Sequence, residues 1–218
     1  MKTSFLTLTA LTLIPFSLVA CSGATQAQTS KQQTQAAIAP SSGTTDTAIF
    51  AGGCFWCVES DFEKLPGVID VISGYTGGET NNPTYKNHTS TGHYEAGKVI
   101  FDPAQISYAE LLEFYWVHID PTDPHGQFCD KGPSYRTAIF ARPDQFDAAE
   151  NSKEYIENTK PFDAPIVTPV LKAQPFYDAE DYHQDYYKKN PVRYNYYRNG
   201  CRRDARVKQL WGDKASAH

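Results

Sequence analysis

At residue 47 the chain changes texture, and that break bounds what it can fold into. Residues 22–46 are Ser, Thr, Gln, Ala and Gly with almost no large apolar side chain, whereas from 47 to about 212 short apolar and aromatic segments are cut at close intervals by Gly and Pro. The first stretch is too polar to pack and reads as a tether; the second has the apolar surface needed to offset the entropy of ordering. Aromatic residues make up 13% of the 218-residue chain. No fixed-period repeat divides the second stretch, so residues 47–213 are expected to form one domain. A formal charge of −5 supplies no basic footprint for nucleic acid or an anionic membrane surface.

Ahead of the tether, Lys2 precedes an apolar run from Phe5 to Ala20. That run is shorter than the roughly 20 residues that span a bilayer, so residues 1–20 are expected to be a secretion signal. It ends Leu18-Val19-Ala20-Cys21, similar to the box at which bacterial lipoproteins are cut and the cysteine lipidated. Residues 21–46 are then a lipidated Cys21 followed by the polar tether, and the protein is expected to be exported and anchored to the cell envelope, on the periplasmic face in a two-membrane cell. Ser22 in second place resembles lipoproteins passed to an outer membrane. Contact with the membrane is expected through the lipid alone.

Within 47–213, Thr47–Ala51 reads as a strand, Gly52-Gly53 as a turn, and residues 54–65 as a helix ended by Pro66-Gly67. Residues 68–72, 97–101, 135–141 and 166–172 read as strands. A Ser-x-x-Glu capping box at Ser107 and Glu110 opens a helix whose Tyr108, Leu111, Leu112, Tyr115, Trp116 and Ile119 form one core-facing stripe. Helices are also expected from Pro143 to about 158 and over 179–189. Strands and helices interleave without the long apolar strands of a doubly wound sheet, which predicts a mixed α/β sandwich.

Four cysteines lie in this domain: Cys54, Cys57, Cys129 and Cys201. In an exported chain two structural disulfides are the plain expectation. The position of Cys54 suggests chemistry instead. It follows a glycine turn and opens a helix, where free N–H groups and the dipole's positive end would lower the thiol below its usual value of about 8.5. Phe55 and Trp56 set an apolar wall beside the sulfur. Two rivals share these residues. A thioredoxin-like dithiol–disulfide oxidoreductase would use Cys54 and Cys57, and a zinc module would use Cys54, Cys57, Cys129 and Cys201 or a histidine, although the second pair lacks the local turns such ligand pairs usually have.

Gly53-Cys54-Phe55-Trp56, Gly74-Tyr75 with Gly77-Gly78, Asn82-Pro83-Thr84-Tyr85, Thr91-Gly92-His93-Tyr94-Glu95, Asp120-Pro121-Thr122, Tyr135-Arg136 and His183-Gln184 occur in this order. Together they resemble the peptide methionine sulfoxide reductase A family, within a Cys-Phe-Trp-Cys subclass, over essentially 47–213. The resemblance implies a mixed-sheet two-layer α/β sandwich or roll, and thiol-dependent reduction of the S epimer of methionine sulfoxide, free and in proteins, to repair oxidation damage. No bound cofactor and no metal are implied; electrons would come from a thioredoxin-like protein. Cys54 would attack the sulfoxide sulfur and take the oxygen as a sulfenic acid while methionine is released, with Glu95 as the acid aimed at the departing oxygen. Phe55, Trp56, Tyr85, Asp130, Tyr135 and Tyr186 would bind substrate, Tyr186 sharing a helical face with Tyr182. Cys201 is taken first as the cysteine that resolves the sulfenic acid, from a mobile tail where Arg198, Arg202, Arg203 and Arg206 favour its thiolate; Cys57 is taken second, and Cys129 also falls near the site. The arginines read equally well as a solvated face or as a rim that docks an acidic reductant. The spacing between Tyr85 and Glu95 is short by about two residues, which marks the loop bearing His88 as altered. Met1 is the chain's single methionine, which fits a protein exposed to oxidants.

Overall fold

A computed structural model describes residues 43–216. The signal run, Cys21 and most of the tether lie outside the described residues. Strand β1 (Asp46–Gly52) runs into helix α1 (Phe55–Phe62), then β2 (Val68–Thr76) and β3 (Tyr94–Phe101) follow, with α2 (Tyr108–Val117) after them. A two-residue hairpin, β4 (Gly126–Gln127) and β5 (Asp130–Lys131), precedes β6 (Thr137–Ala141), α3 (Phe146–Thr159), β7 (Val170–Lys172) and β8 (Phe176–Asp178). Helices α4 (Tyr186–Lys189), α5 (Pro191–Gly200) and α6 (Arg203–Trp211) complete the fold. The main sheet has the order β7-β6-β1-β3-β2-β8; β6 and β7 are parallel and the other pairs antiparallel. The mixed α/β class is therefore as expected, with the helices packed on one face.

That face carries the main core, in which Phe50, Val71 and Val99 from the strands meet Val58, Phe62, Leu111, Leu112 and Trp116 from the helices. A smaller cluster of Ala51, Ala96, Ala138 and Phe140 occupies the opposite face, the alternation of period two that a pleated strand imposes. The expected stripe on α2 is core, and its capping box is formed by Ser107 and Glu110. A Cβ at Gly97 would sit 2.7 Å from Val58 Cγ1, so this glycine lets α1 lie directly on β3.

The structure differs from the sequence expectations where local patterning is overruled. The strand expected over 135–141 begins at Thr137, because Pro133 opens a short 3-10 turn over Pro133–Tyr135. The strand over 166–172 shrinks to Val170–Lys172, and α3 starts at Phe146 rather than Pro143. The helix expected over 179–189 is only α4, since Asp185 takes a left-handed conformation (φ 54°) that breaks the helical run. Tyr182 and Tyr186 therefore do not share a helical face: Tyr182 is 58% exposed while Tyr186 is buried.

Candidate active site

β1 delivers the chain to Gly53, whose φ of 86° and whose closeness to Gln127 (a Cβ would lie 2.6 Å from Gln127 Cβ) leave room for glycine alone. Cys54 follows as the N-cap of α1, with its carbonyl oxygen accepting the Cys57 N–H at 3.0 Å. Its side chain does not cap the helix. The Phe55 amide instead donates to Glu95 Oε2 at 3.1 Å, so the N-terminal dipole of α1 is spent on the carboxyl of β3. Cys54, Phe55, Trp56, Tyr85, Glu95, Asp130, Tyr135 and Tyr197 line a small cavity of about 80 Å³.

Glu95 is buried, and loss of water raises its carboxyl from the usual 4.5 to about 8, with Asp130 and Cys57 adding like-charge repulsion against the donated Phe55 amide. A carboxyl that keeps its proton near neutrality and faces a cavity can act as an acid. Burial also raises the hydroxyls of Tyr85 and Tyr135, so both stay protonated donors. The Tyr135 hydroxyl lies by Glu95 and holds its carboxyl back from rising further. Trp56 stacks face to face on Tyr186 (3.7 Å between centroids, 5°) and its Nε1 donates to His183 Nδ1 at 3.1 Å. Tyr186 thus backs the tryptophan from behind rather than lining the cavity.

The expectation that helix position lowers Cys54 is corrected. Burial is the leading cause and pushes the Cys54 thiol well up, with Cys57 and Glu95 adding to it. The pair instead titrates through Cys57, lowered to about 7 because Cys54 donates its S–H to the Cys57 sulfur and Arg203 and Arg198 stand nearby. Of the two thiols Cys57 is therefore the more acidic, with Cys54 held as the neutral thiol beside it.

Those arginines are not a free basic face around Cys201. Arg203 is buried, donating to Gly52 O and His118 O at 3.0 Å each, and its Nε lies 3.6 Å from Asp61. Arg198 Nη1 pairs with Asp61 at 2.7 Å, and Arg206 pairs with Asp120. Arg202 alone of the four is exposed. Cys201 is not in a mobile tail either. It caps α5 and is bonded to Cys129, so with these two joined the four sulfurs form no common ligand set. Cys54 and Cys57 are both free.

Sequence reasoning did not single out Tyr197. Its hydroxyl donates to Asp130 Oδ2 and lies within hydrogen-bond reach of the Cys54 sulfur, and its ring meets Trp56 edge-on at 6.0 Å. The available signal was its spacing: four residues before Cys201, it sits one helical turn away, as Asp130 sits beside Cys129. Glu59 was also missed. It accepts the Ser73 hydroxyl at 2.8 Å and the Asp185 amide at 2.5 Å, which ties α1 to the turn that presents Tyr186.

The family model described as peptide methionine sulfoxide reductase matches residues 46–215. The chain is 54% identical over 171 residues to peptide methionine sulfoxide reductase MsrA 2 of Caulobacter vibrioides, covering 77% of this chain and 86% of that one. It is 51% identical over 172 residues to the MsrA of Bacillus subtilis, covering 78% and 97%. Among solved structures, methionine sulfoxide reductase A of Corynebacterium diphtheriae superposes with a TM-score of 0.62 at 35% identity, covering 68% of this chain and 76% of that one. Reduced Mxr1 of Saccharomyces cerevisiae superposes at 0.63 and 32%, covering 68% and 87%.

Proposed function

The chain belongs to the peptide methionine sulfoxide reductase family, and from that premise we propose how this site reduces methionine sulfoxide, as the S epimer, free and in oxidised proteins. The observation that carries the reading is that Cys54, with the more acidic Cys57 behind it, meets a carboxyl that keeps its proton near neutrality at a small cavity walled by aromatic rings. The methyl and thioether of the substrate rest on Phe55 and Trp56. Glu95 gives its proton to the sulfoxide oxygen while Cys54 attacks the sulfur, its own proton passing to Cys57. Oxygen transfers to Cys54 as a sulfenic acid, and methionine leaves. Tyr85 and Tyr135 donate to the same oxygen, and Asp130 orders the pocket through Tyr197.

Cys57 then attacks the Cys54 sulfenate. The sulfenic acid's OH, carrying the hydrogen that Glu95 gave to the oxygen, leaves with the Cys57 thiol proton as water, and a Cys54–Cys57 disulfide remains. This reverses the order of the two resolving candidates, because Cys57 already touches Cys54 while Cys201 is held by Cys129. A thioredoxin-like dithiol reduces the disulfide by exchange, restoring one proton to the pair and releasing one to reload Glu95.

Single-turnover reduction of a methyl sulfoxide, with mass mapping of the products, tests the assignment. Cys54→Ser should release no methionine. Cys57→Ser should release one per enzyme and accumulate a sulfenic acid, whereas Cys201→Ser should cycle; the opposite pattern in the last two variants would make Cys201 the resolving residue. Export and lipid anchoring rest on the Leu18–Cys21 box. Diacylglyceryl on Cys21 in the mature protein is the expected mass, and membrane retention of Cys21→Ser would refute that part.

A further inference from the structure

Three imidazoles are buried among the described residues, those of His88, His93 and His183, and none takes part in the proposed steps; of these, His88 has a ring nitrogen facing the acid. His88 is 3% exposed, and its ring is held between Tyr75 (5.0 Å, 27°) and Tyr85 (5.5 Å, 25°). Nδ1 lies 2.9 Å from the carbonyl oxygen of Tyr85. A carbonyl only accepts, so Nδ1 carries the hydrogen, and in the neutral ring Nε2 is a bare lone pair. That lone pair faces Glu95 Oε1 at 3.5 Å. The other carboxyl oxygen accepts the Phe55 amide, which leaves Oε1 as the oxygen that holds the acidic hydrogen.

We propose that His88 is the positioning residue of Glu95: its Nε2 lone pair holds the acidic hydrogen on Oε1 at the cavity and favours the protonated carboxyl over the carboxylate. The proposal rests on Glu95 being the acid of the reaction. An acceptor facing the neutral form of a carboxyl stabilises that form. The contact is long for a hydrogen bond, so a sulfoxide oxygen entering the cavity can take the hydrogen over. Burial keeps the imidazole neutral by lowering it from its usual value, which preserves the lone pair.

The surroundings of both groups are defined. Glu180 and His183 face His88 from the segment after β8, and His93 from the start of β3. Thr89 Oγ1 lies 3.3 Å from Nε2 and accepts the Ser134 hydroxyl, so its own hydrogen is available to the same lone pair. Glu95 is faced by Cys57 of α1, by Asp130 of β5, and by Tyr85 and Tyr135.

The test is the pH profile of methionine release in a single turnover, measured for the wild type, His88→Phe, His88→Gln, Thr89→Val and Glu95→Gln. The wild-type rate should fall as pH rises through about 8, where Glu95 loses its proton. His88→Phe keeps a stacking ring but has no lone pair; its descending limb should move down by about one pH unit, a roughly fivefold loss at pH 8 that approaches tenfold at higher pH, with the rate at pH 7 within about threefold of wild type. His88→Gln, whose amide oxygen accepts, should restore the limb, and Thr89→Val should leave it in place. An unmoved limb in His88→Phe, or an equal loss at every pH that Gln does not rescue, would overturn the proposal. A full rate in Glu95→Gln would overturn it by a different route, by removing the acid it positions.

Discussion

Replacing Glu95 by Gln should trade activity for stability, and the size of both effects is set by burial. A carboxyl raised from 4.5 to about 8 by folding corresponds to about 5 kcal/mol at about 1.4 kcal/mol per pH unit. The sign follows from proton binding: between these two values the folded state holds the proton and the unfolded state does not. Glu95 therefore costs nothing below pH 4.5, and folded stability falls as pH rises to about 8 and is level beyond. Gln titrates in neither state. Glu95→Gln should match the wild type in stability at pH 4.5 and exceed it by several kcal/mol at pH 8.5, read by urea unfolding at both values. In the same variant the reductase step should fall by about 10²- to 10⁴-fold, the usual worth of an acid in the transition state. For the wild type, thiolate forms on the pair through about 7 and Glu95 loses its proton through about 8, so methionine release should be fastest between them. A stability difference independent of pH, or an unchanged single-turnover rate, would refute the reasoning.

Tyr197→Phe keeps the ring against Trp56 but leaves Asp130 without the hydroxyl it accepts from and Cys54 without a donor. About 1–3 kcal/mol of stability should be lost, together with a higher alkylation midpoint for the cysteine pair; full activity with an unchanged midpoint would count against the residue's place in the site. Arg203→Met removes two carbonyl contacts and one neighbour of buried Asp61. It should cost about 3–5 kcal/mol and raise the Cys57 titration above about 7, since Arg203 holds that thiolate. Iodoacetamide reactivity against pH checks the second effect, and a midpoint that stays put would show the arginine to be a purely structural brace.

Much of the site was legible along the chain because its parts are close in sequence. The strand, glycine turn and helix that present Cys54, Phe55 and Trp56 span residues 46–62, and local rules of turn and helix chemistry describe them. The capped helix α2 was legible for the same reason. Where one residue in an unusual conformation breaks a pattern, as Asp185 does at φ 54°, side-chain periodicity carries no warning, and Tyr186 ends on the far side of Trp56. The arginines of α5 and α6 looked alike in sequence; only packing sends Arg198 and Arg203 inward to Asp61 and leaves Arg202 in water.

The order of the residues by itself determined that a cysteine would open a helix beside aromatic rings, and that the family's motifs would lie along one mixed α/β domain. Which sulfur carries the negative charge, which cysteines join, and which side chains surround Glu95 were decided by contacts between residues as far apart as Cys129 and Cys201, 72 positions along the chain. The physical reason is that ionisation depends on how much water a group loses and which charges come near it in space. Those quantities exist only once the sheet and helices have closed around the site.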